Sequence, residues 1–461
     1  MHPLAAGPML DADAARRYRL RAVFECGKLD PQVGDTSVLA PFPLLLQRDA
    51  HRGVCTLAER LDAEARAAEA ELVARPDLHR HLALPRHIRR ALAAARAGDS
   101  HARQPTTPRV SRLDFHWCRD TDSTADCWRI SEINADVPGG FIEAGPITRL
   151  MRDLIDPPDG PAPRSNTART PQPAELPPDP ADALARAISD RLNADAPRTV
   201  ALVHATAYAD DYQVMRRLAA CLEAHALSAV LAAPDHILWD HHAHAWLAPT
   251  ASSPARPLGA ILRFYPAEWL PTLGRIAEWP RYFRPGRTLL CNPATALLTQ
   301  SKRWPLLWDR LTTPVPTWRD LLPETRAVMA SRGLPDRADW VLKPALGRIG
   351  EDILVPGIPS RHEPAIRRAI RRRPANWIAQ RRFESLPVPT PLGDLHVCLG
   401  VFVVDGRAAG LYARAATRPL IDQSAWELPV LVSPVSAACP AHVPEQHTPA
   451  RPTEPRTLEA A

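Results

Sequence analysis

Residues 130–140 read ISEINADVPGG, and residues 111–117, shortly before them, read SRLDFHW. Both stretches alternate apolar and polar residues, and the segment between them is polar and rich in aspartate. Alternation on either side of a polar turn is typical of two antiparallel strands. The sequence therefore predicts a hairpin formed by these two stretches.

One face of this predicted hairpin carries polar side chains of a particular kind. Residues two apart on a strand share a face, so Arg112 lies beside Asp114 and Glu132 lies beside Asn134. Two carboxylates and an amide oxygen suit Mg²⁺, which binds few protein ligands and completes its shell with water and phosphate oxygens. The same pattern is also typical of a solvated hairpin face with cross-strand ion pairs. On these four residues alone, both interpretations stay open.

A second informative stretch, residues 339–350, reads DWVLKPALGRIG. It predicts a strand that delivers Lys343, followed by a loop that contains glycine. This arrangement can place one ammonium on a phosphate oxygen while backbone N–H groups close over the others. It matches neither the G-x-x-x-x-G-K-[ST] loop nor the G-x-G-x-x-G loop. Taken alone, a lysine before a glycine turn is usually just the end of a strand.

The scarcity of lysine makes this second stretch more informative. The chain has 57 lysines and arginines, of which only three are lysines: Lys28, Lys302 and Lys343. A compact ammonium and a planar guanidinium are not interchangeable at a crowded phosphate, so each remaining lysine is a candidate position that arginine cannot fill. Lys302 and Lys343 lie in the same half of the chain, which favours a shared phosphate site. Lys28 lies in a turn-like segment, and the sequence assigns it no chemistry.

Composition excludes several classes of protein. The 461 residues are 45% hydrophobic and 23% charged, which excludes a collagen, a coiled coil and a largely disordered chain. No apolar run approaches the roughly 20 residues needed to span a bilayer, and no signal pattern opens the chain, so we predict a cytoplasmic protein with no membrane partner. The eight cysteines show no metal-ligand spacing. A net charge of +6 is small over this length, and a phosphate-bearing small molecule explains it as well as a polyanion does. We predict no nucleic-acid partner.

The chain divides into five predicted segments. Amphipathic helices over 56–98, broken at Pro76 and Pro85, precede the hairpin, and a strand, helix, strand pattern begins at residue 198. Later residues predict a helix over 298–311 and a hairpin over 396–414 that turns at Asp405-Gly406. The predicted segments are 1–155, N-terminal helices and metal hairpin; 156–190, Pro-rich linker; 191–290, α/β domain; 291–435, nucleotide-binding part; and 436–461, disordered tail.

Together these motifs resemble those of an ATP-grasp ligase, specifically the circularly permuted glutathionylspermidine synthase type. In ordinary ATP-grasp enzymes the acidic E-x-N hairpin follows the nucleotide lysines, whereas here Glu132-Ile133-Asn134 precedes both Lys302 and Lys343. The resemblance covers most of the chain. It implies an α+β fold in which an ATP-grasp core is assembled from N- and C-terminal parts, with an inserted α/β pre-ATP-grasp domain.

The resemblance also implies a role for each matching residue. The implied magnesium ligands are Asp114, Glu132 and Asn134. The implied nucleotide-binding residues are Lys302, Lys343, Gly347, Arg348, Gly350 and, at the hinge near adenine, Gln380. The arginines implied to neutralise the transferred phosphoryl group are Arg112 and Arg414.

The activity implied is ATP- and Mg²⁺-dependent ligation of a carboxylate to an amine through an acyl phosphate. The chain resembles the synthetase module only, because nothing in it corresponds to the amidase half of the bifunctional relatives. The loop after E-x-N reads VPGG, where relatives carry a polar loop that helps to hold glutathione, so the sequence names neither the carboxylate nor the amine. It leaves the oligomeric state open as well. The alternatives are phosphorylation of a small molecule at the same site, and a non-catalytic nucleotide-binding or scaffold protein.

Overall fold

The computed structural model describes residues 2–96, 107–119, 125–157, 174–274, 277–284, 286–328, 338–347, 350, 352–358 and 362–433. The α-helices of these residues are α1 (Ala12–Phe24), α2 (Arg48–Ala74), α3 (Arg86–Arg96), α4 (Thr148–Ile155), α5 (Pro180–Arg191), α6 (Ala209–Ala224), α7 (Leu297–Gln300), α8 (Pro316–Leu321) and α9 (Glu363–Arg372). The strands are β1 (Leu4–Ala6), β2 (Gln32–Val33), β3 (Thr36–Ser37), β4 (Leu44–Gln47), β5 (Val110–Cys118), β6 (Cys127–Asn134), β7 (Thr199–Val203), β8 (Ser228–Ala232), β9 (Ile237–Trp239), β10 (Ala245–Leu247), β11 (Arg256–Pro257), β12 (Ala260–Arg263), β13 (Leu289–Cys291), β14 (Thr325–Ala327), β15 (Trp340–Pro344), β16 (Trp377–Arg381), β17 (Val388–Thr390), β18 (Gly393–Val404), β19 (Arg407–Ala416), β20 (Trp426–Leu428) and β21 (Val430–Ser433).

The largest sheet joins distant parts of the chain. Its strand order is β20-β19-β18-β5-β6, and β17 pairs with β18 at one end. The predicted hairpin of β5 and β6 is confirmed as an antiparallel pair, and so is the hairpin of β18 and β19 that turns at Asp405-Gly406. Strand β18 also pairs with β5, so that Gly400 stands opposite Asp114. The two hairpins therefore form one continuous surface.

Helix α2 covers one side of this sheet. Its buried residues recur every three or four positions and include Val54, Ala58, Leu61, Ala65 and Leu72. This spacing places them on one stripe of the helix, which packs into the main hydrophobic core with the apolar residues of β18 and β19. The predicted helix breaks are confirmed, because α2 ends before Pro76 and α3 begins after Pro85.

The α/β unit contains a parallel sheet with the strand order β13-β12-β7-β8. Apolar runs such as Val200 to Val203 are buried throughout, which is typical of a parallel strand covered on both faces. Helices α5 and α6 pack against each other, and their apolar residues share a second core with hairpin residues that include Val110, Phe402 and Val404.

A small antiparallel sheet, in the order β14-β16-β15, carries Lys343 and Gln380. Ile366 and Ile370 of α9 are buried in a core of their own with Trp340 and Trp377. The basic run of α9 is thus the solvent-facing side of an amphipathic helix. A fourth sheet, β1-β4-β21, brings the last described strand beside residues near the N-terminus.

The structure differs from the sequence prediction in two elements. The predicted helix over 298–311 is broken into the short helix α7 and a 3₁₀-helix at Trp304–Arg310, because Ser301 leaves the helical conformation and its hydroxyl donates to the carbonyl of Leu82. The predicted linker over 156–190 ends earlier, since α5 begins at Pro180 with Asp179 as its N-cap. Residues 158–173 and the predicted tail over 436–461 lie outside the described residues.

The architecture is α+β, as predicted. Among the described helices, none combines the length and the apolar character needed to cross a membrane.

Candidate functional site

The face of β5 and β6 that was predicted to bind a metal is assembled in the structure. Arg112 stands opposite Asn134, and Asp114 stands opposite Glu132. Arg112 donates from Nε to Asp114 Oδ1 at 2.8 Å and from Nη2 to Asp114 Oδ2 at 3.0 Å, and Asn134 Nδ2 donates to Asp114 Oδ2 at 3.0 Å. The pairing register shifts after Asp114, leaving Ser131 as the extra residue of a bulge. The structure therefore brings all four predicted residues together on one face.

Arg112 is held from three sides. Its Nη1 donates to the Gly139 carbonyl at 2.6 Å, and its guanidinium lies 5.3 Å from the centroid of the Tyr412 ring. On the neighbouring strand a Cβ at Gly400 would lie only 2.8 Å from Arg112 Cδ, so the side chain lies flat across a position that only glycine leaves free. Burial opposes the charged form of Arg112, but the pair with Asp114 prevails and raises its pKa.

The two predicted nucleotide lysines lie close to Glu132 of this face. Lys302 Nζ lies 2.9 Å from Glu132 Oε2 and donates to the Gly347 carbonyl at 2.7 Å. Lys343 Nζ donates to Gln380 Oε1 at 2.7 Å. The position of Lys302 is fixed by its backbone N–H, which donates to the Ala345 carbonyl beyond β15.

The electrostatics of the site follow from this arrangement. Burial opposes ionisation of Glu132, but the ammonium groups of Lys302 and Lys343 lower its pKa to about 2. Burial lowers the pKa of Lys343 to about 8, even though the negative charge of Glu132 acts in the other direction. Glu132 is thus a carboxylate at neutral pH, and Lys343 is an ammonium that a phosphate would stabilise further.

The predicted glycine loop and the second arginine lie at the edge of the site. Gly350 has φ +68° and packs against the backbone of Ile421, where a Cβ would meet the carbonyl oxygen. Arg414 donates from Nη2 to the Asp422 carbonyl in the same segment. Arg348, also predicted here, lies outside the described residues.

A cavity of about 760 Å³ joins these groups. Eight of the predicted site residues line it: Arg112, Asp114, Glu132, Asn134, Lys343, Gly350, Gln380 and Arg414. Lys302 and Gly347 do not line it, and Lys302 reaches the site through its ion pair with Glu132.

At the nucleotide-lysine end of the cavity the structure adds groups that the sequence did not single out. His116 follows Asp114 on the same face of β5, its Nε2 lies 3.1 Å from Ser131 Oγ, and its ring centroid lies 4.9 Å from that of Phe383. Burial and the charge of Lys343 lower the pKa of His116 to about 3, so its ring is neutral. Its position two residues after Asp114 was the available sequence signal.

A second part of the cavity wall, called here the acidic end, carries carboxylates and aromatic rings. Carboxylates of Asp30, Glu143, Asp210, Asp211 and Glu427 line it, together with the rings of Tyr208, Phe264, Trp269 and Tyr412. Sequence reasoning missed this end because its members come from segments far apart in the chain. The one signal was the unassigned Lys28, whose ammonium pairs with three of these carboxylates.

The donor set on the hairpin fits a hard divalent cation. Asp114 and Glu132 supply carboxylate oxygens and Asn134 an amide oxygen, and all three line the cavity. Within the described part of the chain, no group of three or more His, Cys, Asp or Glu residues could hold a metal ion. A small ligand set of this kind suits Mg²⁺, whose remaining positions are taken by water and phosphate oxygens, and does not suit a zinc site.

Comparison with known proteins is consistent with this description. A family model described as glutathionylspermidine synthase preATP-grasp matches residues 47–433. Among solved structures, a glutathione synthetase-like effector from Globodera pallida, determined in its apo form, has a similar fold, with a TM-score of 0.58. The two chains are 11% identical, and the similarity covers 91% of this chain and 96% of the other. No curated protein matches the sequence.

Proposed function

Because the chain belongs to the glutathionylspermidine synthase preATP-grasp family, whose model spans residues 47–433, we propose that it is an ATP- and Mg²⁺-dependent carboxylate–amine ligase. The observation that carries this proposal is the single cavity shared by the carboxylates of the hairpin, Lys343 and the acidic end. Such a cavity offers distinct places for a nucleotide phosphate and for an amine.

The proposed reaction has two steps. An oxygen of the substrate carboxylate attacks the γ-phosphorus of ATP, the bond to the β,γ-bridging oxygen breaks, and an acyl phosphate and ADP form. The amine nitrogen then attacks the acyl carbon, the carbon–oxygen bond to phosphate breaks, and phosphate leaves as the nitrogen loses a proton. Positively charged groups that meet the transferring phosphoryl oxygens stabilise the first step more than they stabilise bound ATP.

Each group at the lysine end has a task in this scheme. Asp114, Glu132 and Asn134 would hold Mg²⁺, which when bound neutralises charge on phosphate oxygens. Lys302 and Lys343 bind the nucleotide phosphates. In this scheme the guanidinium groups of Arg112 and Arg414 face the phosphoryl group and neutralise its negative charge during transfer. These roles follow the family pattern, and the convergence on one cavity of all these residues except Lys302, which pairs with Glu132, supports them.

Gln380 and the residues beside it form the nucleotide hinge in this proposal. Gln380 accepts a hydrogen bond from Lys343, and its Nε2 donates to Thr325 Oγ1 at 3.3 Å. The amide is therefore fixed at the end of β16, and the neighbouring Phe383 supplies an aromatic face at the same end of the cavity.

The acidic end is the proposed entry for the amine. Primary and secondary amines are cations at neutral pH, and several carboxylates along one wall favour a cation. Exposed aromatic rings at Tyr208 and Trp269, whose centroids lie 5.9 Å apart, can contact its carbon chain or its ammonium. The amine substrate is thus expected to carry positive charge away from the reacting nitrogen.

Binding of Mg·ATP tests the nucleotide site directly. A ligand that binds only the folded chain stabilises it by about 2.7 kcal/mol at about 100 times its Kd, so the wild type should melt at higher temperature with Mg·ATP. Lys343→Ala and Asp114→Asn should lose this shift. Arg371→Ala, an exposed substitution on α9, is the matched control and should keep it.

Turnover is then measured as ADP release with pooled carboxylates and amines. Release that requires both pools supports ligation, whereas release with a single hydroxyl compound would indicate phosphorylation instead. A wild type that shows no melting shift at millimolar Mg·ATP would refute the enzyme and favour the scaffold alternative.

A further inference from the structure

The proposed reaction leaves Lys28 without a task, although this lysine is completely buried. Its side chain is 1% exposed, and its Nζ lies 2.8 Å from Asp30 Oδ1 and 2.8 Å from Glu427 Oε2. It also donates to Glu143. The three carboxylates belong to the loop after α1, to the π-helical turn before α4 and to β20. One ammonium therefore connects three distant segments.

A lysine suits this position better than an arginine. An ammonium has three donors on one small tetrahedral centre, so it can meet three carboxylates at once. A guanidinium is planar and larger, and it prefers to pair with one carboxylate in a bidentate manner. In a chain that uses arginine for nearly every basic residue, this geometry accounts for the lysine at position 28.

The carboxylates bound by Lys28 are also part of the cavity wall. Asp30, Glu143 and Glu427 all line the cavity, whereas Lys28 lies behind them. Gln213 Nε2 donates to Asp30 Oδ1 at 2.6 Å and fixes that carboxylate from α6. Lys28 and Gln213 thus hold the carboxyl groups of this wall in place, and the same carboxyl groups line the cavity.

Three acidic groups on one partly buried wall need a counter-ion, and Lys28 supplies it. Like charges a few ångströms apart raise each other's pKa, and burial adds to the effect. We propose that Lys28 is the positioning residue of the amine subsite: its buried ammonium gathers the carboxyl groups of Asp30, Glu143 and Glu427 on one wall, where a cationic amine can pair with them. This inference rests on the proposed ligation, in which the acidic end receives the amine.

The charges around Lys28 affect its own pKa and the pKa of Glu427. Burial opposes its charged form, but Glu143, Glu427 and Asp30 prevail and raise its pKa. Burial and the charge of Glu143 raise the pKa of Glu427 to about 8, and Lys28 acts to lower it. The other titratable or charged groups that face this cluster are Tyr18, Asp210, Tyr412 and Arg414. Removing Lys28 takes away a charge that lowers the pKa of Glu427, so this carboxyl ionises only at a higher pH.

A diamine probe tests this inference without knowledge of the true substrate. Binding of 1,4-diaminobutane to the full chain is measured by calorimetry, with 1,4-butanediol as the uncharged control. The wild type should bind the diamine and not the diol. Lys28→Met should bind it about tenfold more weakly near neutral pH, a loss equivalent to about 1.4 kcal/mol, and should recover part of the affinity as the pH rises and the carboxyls ionise.

Two further variants separate this inference from the proposed function. Lys343→Ala should lose the Mg·ATP melting shift and keep diamine binding, whereas Lys28→Met should keep the Mg·ATP shift. Equal diamine affinity and equal pH dependence in Lys28→Met and the wild type would overturn the inference even if ligation is established. A wild type that does not bind the diamine overturns it as well.

Chemical rescue covers the case in which Lys28→Met folds poorly. In Lys28→Ala, n-butylammonium can enter the vacated space and supply the missing ammonium, so it should raise the melting temperature. Tetramethylammonium at the same ionic strength cannot donate hydrogen bonds and should not. Equal effects of the two salts would contradict a specific ammonium position.

Discussion

Arg112 has its orientation because four neighbours define it: Asp114, the Gly139 carbonyl, the Tyr412 ring and the bare Cα of Gly400. Three of these attract the guanidinium, and the fourth only leaves it room. A group that must meet a transferring phosphoryl oxygen acts best when its position is fixed before the reaction. We therefore expect the space above Gly400 to matter as much as the charge of Arg112.

Gly400→Ala tests this directly. The added methyl group would lie 2.8 Å from Arg112 Cδ, closer than Cβ contacts allow, and Arg112 cannot withdraw without breaking its pair with Asp114. We expect ADP release to fall by about tenfold or more, equivalent to about 1.4 kcal/mol in the barrier, while the Mg·ATP melting shift changes little.

Gly53→Ala is the matched control for this substitution. Gly53 lies inside α2, and nothing lies within 4 Å of the Cβ it would gain, so the change should stabilise the helix by about 0.5–1 kcal/mol without affecting turnover. Unchanged ADP release by Gly400→Ala would show that Arg112 is not positioned in the way described.

At the scale of the elements, sequence patterns predicted those helices and strands that depend on neighbouring residues alone. The alternation along β5 and β6 predicted the hairpin, its face and its four polar residues, since the side-chain period of a strand is fixed at two. The bulge after Asp114 left no such pattern. The helix over 298–311 was predicted from its spacing, but Ser301 bonds to a carbonyl of another segment, which no local pattern can reveal.

The acidic end of the cavity could not be predicted from local patterns either. The lysine-end residues lie in short motifs, so the sequence predicted them. Asp30, Glu143, Asp210 and Glu427 lie in four separate segments of the chain, and only tertiary packing brings them together. Lys28 marked the region by its rarity but not by any motif.

Asn292 shows how one side chain fastens the hairpin of β5 and β6 to the α/β unit. Its Nδ2 donates to the carbonyls of Val110 and Ala135, each at 2.7 Å, and its Oδ1 accepts from the Val110 N–H at 3.0 Å. These backbone groups belong to the start of β5 and the end of β6, where the ladder stops. The side chain therefore replaces a missing strand partner.

Asn292→Ala should leave these buried backbone groups without partners. Because each unsatisfied buried group costs about 1–3 kcal/mol, we expect the free energy of unfolding to fall by about 3 kcal/mol, measured by urea denaturation. Asn376→Ala, at an exposed asparagine, is the control and should change it by less than about 0.5 kcal/mol. A loss no larger than that of the control would mean that Asn292 does not fasten the hairpin.

At the scale of the whole molecule, contacts between distant segments join the two ends of the described chain. Strand β21 pairs with β4, and β18 pairs with β5. The cluster of Lys28, Glu143 and Glu427 is a third such connection, and it is the one that titrates. Global stability should therefore depend on pH through this cluster.

The sign of that dependence follows from Glu427, whose pKa is raised from 4.5 to about 8 by burial and by Glu143. A carboxyl with a higher pKa in the folded chain binds its proton more tightly there. The contribution of this proton to stability is complete below the pKa of the unfolded chain and is lost as the pH rises through the pKa of the folded chain.

Glutamine cannot lose a proton, so Glu427→Gln should become more stable relative to the wild type as the pH rises between these two pKa values. Urea denaturation across this range measures the difference, with Glu384→Gln at an exposed position as control. A difference that stays constant with pH would mean that Glu427 is already ionised in the folded chain, and that Lys28 alone balances the wall.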